Sequence, residues 1–422
     1  MNTTPRRGSA LLKGLICLLS AAPLSEVMAA QLDALKVNGF LTAAAQQSDE
    51  KDTVYNAGYA VLTDSQIGTG GVRGDHAAVA PGSVAGLQFD YKLNSKANLT
   101  AQYVARGSEG WNLAAEWAYV TYNFTPDWSV KAGRMRTAFF LFSESQEVGF
   151  SYPWVKPPVE LYNSLLTAAD GIELKKKFSL GEWSGDFRTE LTSASRQKGA
   201  GGLPVDLIVK RGFSMVGTLY YQSFTFYACA LNGIVQSDLS TAPEYVALDS
   251  VLRLGASSGA YDADNAVASR DVAARYYDLG AMFDDGVWWA VVEAGKQPYK
   301  NSIQPDFRGG YAALGHRFGA WMPFYTIART STMPRGNNLR NEIMDVPQVA
   351  TILATQNIDL RDLNYQQTAH YLGVRYDVSS RSDVKFQWTR IQNMGGTRGL
   401  FAPDAPTNHR ANIFAMSFDA VF

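Results

Sequence analysis

From Val37 onward the chain alternates apolar and polar residues with a period of two, the repeat of a strand whose two faces meet different surroundings. Leu87, Phe89 and Tyr91 alternate with Gln88 and Asp90, and Leu99, Ala101, Tyr103 and Ala105 with Thr100, Gln102 and Arg106. Ile172, Leu174 and Phe178 alternate with Glu173, Lys175 and Lys177, and Val384, Phe386 and Trp388 with Lys385, Gln387 and Thr389. The final run sets Phe414, Met416, Phe418, Ala420 and Phe422 against Ser417 and Asp419. Sixteen such runs can be counted, at about 36–46, 84–93, 97–108, 112–124, 127–136, 170–178, 183–193, 211–221, 223–233, 271–284, 286–297, 309–318, 320–331, 367–377, 383–393 and 411–422. Most approach the length that a tilted strand needs to cross a bilayer.

The connections alternate as well. Tight polar turns fall at Asn94-Ser95-Lys96, Thr125-Pro126, Ser179-Leu180-Gly181, Gln222-Ser223, Asp284-Asp285-Gly286, Phe318-Gly319 and Ser379 to Ser382. Between them lie mostly longer segments at 47–83, 107–111, 137–169, 194–210, 234–270, 298–308, 332–366 and 394–410. Short turns on one rim, long loops on the other and an even strand number predict an all-β transmembrane antiparallel barrel of about 16 strands, with both termini on the short-turn rim. A sheet in lipid must satisfy all its backbone groups internally, so it closes on itself. The apolar members of each run are then expected to face lipid and the polar members a water-filled lumen. Tyr119, Tyr122, Phe124 and Trp128 at one turn, Phe283, Trp288 and Trp289 at another, and Trp321 at a third read as an interfacial girdle. A soluble sandwich or solenoid also alternates, but the pairing of short and long connections and the terminal Phe422 argue against it.

The first residues follow a different pattern. Arg6, Arg7 and Lys13 precede a short apolar core around Leu15-Ile16-Cys17-Leu18-Leu19, and Val27-Met28-Ala29 supplies small residues for cleavage. This is the layout of a secretory signal peptide over 1–29, with 30–422 as the mature barrel; a buried N-terminal helix is the alternative. Cleavage would change the formal net charge from -1 to -3 and leave Cys229 as the single cysteine. An exported chain of this size that cannot form an internal disulfide relies on backbone pairing and packing, which points to a bacterium with a periplasm.

Composition narrows the function. The chain of 422 residues has 38 Lys and Arg against 39 Asp and Glu, too balanced for a strong nucleic-acid binder. Aromatics make up 12% and charged residues 18%, yet mean hydropathy is -0.14, which excludes a bundle of apolar membrane helices. The stretch Gly255-Ala256-Ser257-Ser258-Gly259 matches G-x-S-x-G but has no strand before it and no helix after it. His76, His316, His370 and His409 lack metal-ligand spacing, and Asp262, Asp264 and Asp271 do not match a calcium loop. No cofactor, metal site or catalytic residue is expected.

Signal peptide, strand count and terminal Phe422 together make the chain resemble the sixteen-stranded, trimeric bacterial outer-membrane porins, over essentially its whole length. The local resemblance is strongest at Ala132-Gly133-Arg134-Met135-Arg136, followed by a long loop and then Ala169-Asp170-Gly171-Ile172. In that family such a strand end leads into a third loop folded into the barrel. The Pro-Glu-Phe-Gly-Gly-Asp loop motif of enterobacterial porins is absent; Ser143-Glu144-Ser145-Gln146-Glu147 and Pro153-Trp154-Val155-Lys156-Pro157-Pro158 stand in the loop instead. The resemblance implies a Gram-negative outer-membrane location, passive diffusion of small hydrophilic solutes and ions, a homotrimer, and Phe422 as part of the signal read by the barrel assembly machinery.

Loop 137–169 opens with Phe139-Phe140-Leu141-Phe142, too apolar for an exposed loop, and is read as the constriction. Its Glu144 and Glu147 are expected to oppose wall cations across a transverse field. Alternation nominates Arg106, Lys131, Arg188, Arg317, Arg375 and Lys385 for that wall. Strict alternation from Val130 and Ala132 points Arg134 and Arg136 outward; two arginines facing lipid are costly, so a bulge or strand end is expected to turn both inward. A substrate-selective channel for an anion or sugar, and a plugged barrel serving as adhesin or receptor, are the alternatives.

Overall fold

A computed structural model describes residues 34–56, 71–72, 74–163, 168–196, 207–237, 272–300, 306–333, 345–355, 364–402 and 406–422, with a few isolated positions besides. The expected export signal lies outside them, as do the three loop aspartates and most of the G-x-S-x-G stretch. The barrel is built from β1 (Leu35–Ser48), β2 (Val84–Lys92), β3 (Ala97–Arg106), β4 (Leu113–Asn123), β5 (Trp128–Arg136), β6 (Ala168–Leu180), β7 (Trp183–Arg196) and β8 (Leu207–Tyr221). It continues through β9 (Phe224–Ser237), β10 (Val272–Asp284), β11 (Trp288–Gln297), β12 (Asp306–His316), β13 (Trp321–Met333), β14 (Gln366–Ser379), β15 (Ser382–Gln392) and β16 (Ala411–Val421). Every expected strand is present, with ends shifted by a few residues. Past Pro298, which cannot donate to the ladder, β11 resumes as Tyr299–Lys300 and pairs again with β10.

Each strand pairs antiparallel with its chain neighbours, and β1 closes on β16 from Phe40↔Val421 to Ser48↔Ile413. The closure ends at Phe422, whose N–H donates to Gly39 O (3.0 Å) while Gly39 N–H donates to Phe422 O (2.8 Å). The Phe422 ring occupies the space a side chain at position 39 would need. Turn chemistry sets the short rim. Asn94 Oδ1 accepts from the N–H groups of Lys96 and Ala97, Asp285 Oδ1 from those of Val287 and Trp288, and Gly181, Gly286 and Gly319 adopt positive φ. Val54–Asn56, Gly71–Val72 and Phe401–Ala402, from long connections, form a small separate sheet whose Tyr55, Val72 and Phe401 are buried in the core.

The outward face is mostly apolar, with a few charged residues towards the long-loop rim. Leu99, Leu174, Phe187, Val292, Leu314, Phe386 and Met416 all stand exposed on it. Tyr122, Phe124, Trp128, Trp288 and Trp321 form the expected girdle at the short-turn rim. Two expected members do not: Trp289 points inward and is 4% exposed, and Tyr119 lies under Lys131, whose Nζ sits 4.8 Å from its ring.

The inward face departs from expectation more broadly. From β10 to β13 it is largely apolar, with Trp289, Val291, Tyr311, Ala313, Phe324 and Ala328 buried, and Tyr371, Ile391 and Ile413 continue it near the long-loop ends of β14 to β16. These residues pack against Phe140, Phe142, Tyr152, Trp154, Leu161 and Tyr162 of the third loop in one continuous core. That side of the barrel is filled like a protein interior rather than by water. The reason is visible in Trp288-Trp289-Ala290-Val291-Val292, an unbroken apolar run of the kind found in strands buried on both faces.

Candidate pore constriction

The third loop leaves β5 just after Gly133, which has φ 131 and sits where a Cβ would strike the backbone of Ala118. From there 137–163 folds into the lumen and is tied to the far wall. Leu141 N–H and the hydroxyls of Tyr162 and Tyr311 all donate to Glu293, each at 2.6 Å. Trp154 Nε1 donates to Thr326 Oγ1 (2.8 Å), Arg375 Nη1 to Phe150 O (2.7 Å) and Lys385 Nζ to Gly149 O (2.5 Å). Glu160 is fully buried and accepts from Gln367 Nε2 (2.6 Å) and Tyr371 OH (2.5 Å). Burial pushes its carboxyl above the ordinary range, and the two donors offset part of that rise.

Charge concentrates where the loop meets β3 to β8. Glu147 joins Arg106 (2.8 Å) and Arg136 (3.1 Å), and Glu116 joins the same two arginines (2.7 and 3.6 Å). All four side chains are at most 15% exposed. Removing one member of such a set strands the others and costs about 3–5 kcal/mol. Burial alone would raise the Glu147 carboxyl; the guanidiniums of Arg106 and Arg136 outweigh it and hold it down at about 2. A depressed carboxyl contributes stability above its unfolded value, which is lost only as pH falls through the folded one. Single-channel conductance recorded from pH 7 downward should therefore show no loosening of this quartet near pH 4. Noise or closure that begins there and is absent in a Glu147→Gln variant would contradict the assignment.

Early in the loop, Glu144 contacts Arg188 on β7, Oε1 to Nη1 at 2.6 Å, and its side chain is 62% exposed. Arg188 also contacts Asp186 (3.3 Å), Lys175 contacts Asp186 (3.6 Å), and Lys131 contacts Glu173 (3.4 Å). Partial desolvation pushes the Glu144 carboxyl up, but Arg188, Lys131 and Lys175 together hold it below the usual range. Glu144, Lys131 (20% exposed) and Lys175 (26%) are the members of this cluster that reach solvent.

The other nominated residues lie elsewhere. Arg375 and Lys385 sit under the loop with Asp377, Asp383 and Asp419, and Lys385 is wholly buried. Arg317 pairs with Asp284 at the short-turn rim (2.7 Å). Arg134 is on the outer face in line with Ala132, and Asp170 lies in line with the exposed Ile172 and Leu174. The two form a bidentate pair, 2.9 Å on both arms, that is partly exposed. The inward turn expected of both arginines applies to Arg136 alone: a carboxylate from the adjacent strand satisfies Arg134 where it stands. Arg134→Ala should leave the reversal potential of a reconstituted channel unchanged; a shift would put its charge in the ion path.

Sequence reasoning missed Lys175, Glu173 and Asp186 as partners, although Glu173 and Lys175 occupy the polar positions of β6. It could not find Glu116, which a register shift between Gln102 and Tyr103 brings into the lumen. The histidines have ordinary surroundings, His316 against Trp288 and Phe318 and His370 against Tyr325. Cys229 is a free buried thiol beside Ala138.

No protein-family model and no curated protein matches the chain. Solved structures do. The anion-selective porin from Comamonas acidovorans aligns with a TM-score of 0.53 at 12% identity, over 92% of this chain and 99% of that one. A loop-deletion mutant of the Vibrio cholerae outer-membrane protein OmpT gives 0.52 at 11%, over 92% and 100%, and Salmonella typhi OmpF in complex with daunomycin gives 0.52 at 9%, over 92% and 97%. The fold is that of the outer-membrane porins. At such low identity the likeness carries the architecture and leaves the solute open.

Proposed function

We propose that this protein is an outer-membrane porin of a Gram-negative bacterium, through which small hydrophilic solutes and ions diffuse passively on the side of the lumen where Glu144 faces β5 to β7. The observation that supports this reading is Glu144, 62% exposed on the loop folded into the lumen and in contact with Arg188 of the wall beside it. Exposed carboxylates and cations clustered beside an aqueous lumen sort passing ions by sign. Residues 1–29 act as the export signal and 30–422 as the barrel. Phe422, at the closing seam, serves assembly. No chemical step is required of any residue.

Three copies associate through the outward faces of β1 to β5, where Ala43, Ala45, Ala85, Ala101, Ala105, Ala118 and Ala132 leave room for close approach. The test is a planar bilayer under a KCl gradient. Conductance steps in groups of three are expected; silence from a folded, heat-modifiable barrel would overturn the channel reading. A second reading, a channel selective for one solute class, draws support from the dry core, which confines passage to one side of the lumen.

A further inference from the structure

On the outward face of β10 to β15, near the long-loop rim, stand Arg275, Lys296, Arg308, Arg329 and Arg390. Each continues the parity of lipid-facing neighbours such as Leu279, Val292, Leu314, Ile327 and Trp388. The register places them in one row. Lys296 is directly opposite Arg308, Arg329 is one pleat nearer the short turns than the partner of Arg308, and Arg390 is opposite His370, one pleat below the partner of Arg329. Arg275 lies one pleat above Lys296's partner Tyr277. This stepwise drift follows the strand tilt of a barrel, so the row stays at nearly one depth. Tyr277, Tyr325 and Trp388 lie just below it, where interfacial aromatics belong.

What separates these cations from the others is their partners. In the lumen Arg106, Lys131, Arg136, Arg188, Arg375 and Lys385 all meet carboxylates, and the outward Arg134 meets Asp170. Among the described residues no carboxylate pairs with any member of the row. Arg308 Nε donates to Ser331 Oγ (2.9 Å), Arg390 Nη1 to Asn412 Oδ1 (3.0 Å), and Lys296 Nζ lies 5.3 Å from the Tyr277 ring. Like charges directly opposed on neighbouring strands repel, and unpaired cations on a lipid-facing wall are costly. Both costs vanish if an anion outside the protein lies along the row. Beneath Arg390 a groove of about 600 Å³, lined by Leu372, Phe386, Trp388, Phe414 and Met416, opens on the same face.

We propose that this row is a binding site for a phosphorylated lipid of the outer leaflet, with phosphate groups on the arginines and Lys296 and an acyl chain in the groove below Arg390. The inference rests on the outer-membrane placement but not on conduction. The test is native mass spectrometry of the folded barrel in detergent, titrated with a bisphosphorylated glycolipid, with phosphatidylcholine, and with inorganic phosphate. Wild type should retain the glycolipid and neither of the others. The K296Q/R308Q/R329Q/R390Q variant should bind it at least about tenfold more weakly, since each headgroup-level cation contributes roughly fivefold. Heat-modifiable migration and conductance equal to wild type would certify the variant's fold; if it fails to assemble, R308Q/R390Q replaces it with a smaller expected loss. Equal glycolipid affinity in folded wild type and variant would overturn the proposal. So would equal occupancy by inorganic phosphate, which would make the row a phosphate site. Loss of conductance with retained lipid binding would sink the channel reading alone.

Discussion

Trp154→Ala should enlarge the single-channel conductance severalfold and lower the temperature at which the folded barrel loses its heat-modifiable form. Trp154 is fully buried in the lumen, 5.1 Å from the Trp289 ring, 5.5 Å from Tyr311 and 5.9 Å from Phe142, with its indole N–H on Thr326. Removing a large aromatic from such a core costs about 3–5 kcal/mol. Trp154 also anchors the loop to the far wall, so its loss frees the loop to withdraw and turns lost packing into open cross-section. Trp154→Phe should retain most of the filling and lose chiefly one hydrogen bond, about 1 kcal/mol, with little gain in conductance. Lower stability at unchanged conductance would mean that the loop holds its place through its polar ties to Glu293, Gln367 and Lys385 alone.

The combined variant Lys131→Gln, Lys175→Gln, Arg188→Gln should turn the channel strongly towards cations. In the wild type these three side chains face Glu144, Glu173 and Asp186, a nearly balanced set. Their removal leaves the carboxylates uncompensated. At an effective dielectric between those of protein and water, each shifts the energy of a passing ion by about 1 kcal/mol or more, so the cation-to-anion permeability ratio should rise at least about fivefold. Glu144→Gln should move the ratio the other way. Both shifts should shrink in 1 M salt, where screening acts within about 3 Å. An unmoved reversal potential at low salt would place the ion path elsewhere in the barrel.

The strands were legible because each short run separates lipid from the lumen, and that separation is written residue by residue in the period-two pattern. The turns were legible through Asn94, Asp285 and the glycines that accept positive φ. The third loop betrayed itself through Phe139 to Phe142, since four apolar residues in a long connection need cover. What covers them was harder to see. The rule that inward means polar holds on β3 to β7 and fails chiefly on β10 to β13, because there the loop itself supplies an apolar surface. Trp289 and Val291 carry that information, but only to a reader who knows that β11 has lipid on one face and the packed loop on the other. The charged sites divided in the same way. Alternation chose the correct side for Arg106, Lys131 and Arg188, yet parity cannot tell an exposed lumen position from Lys385, sealed beneath the loop. At Arg134 alternation alone pointed the right way, and the argument from the cost of a lipid-facing charge misled because Asp170 was there to meet it. Glu116 depends on a bulge, which leaves no mark in a periodic pattern.

The third loop also orders events during folding. It leaves the wall between β5 and β6, but its ties run to residues far ahead in the chain. Leu141 reaches Glu293 across 152 positions, Trp154 reaches Thr326 across 172, and Gly149 meets Lys385 across 236. Adjacent strands, by contrast, form hairpins that can pair as soon as both halves exist. Contacts of such long range are slow to form and cannot begin before the second half of the chain has arrived. Until β10 to β16 wrap around it, the loop presents Phe140, Phe142, Tyr152 and Trp154 as a sticky, uncovered surface, on an intermediate that also has two unpaired sheet edges. The hours of greatest vulnerability for this chain are therefore those of a half-built barrel, and the aromatic cluster that later narrows the passage is the surface by which such an intermediate would aggregate or be captured for degradation.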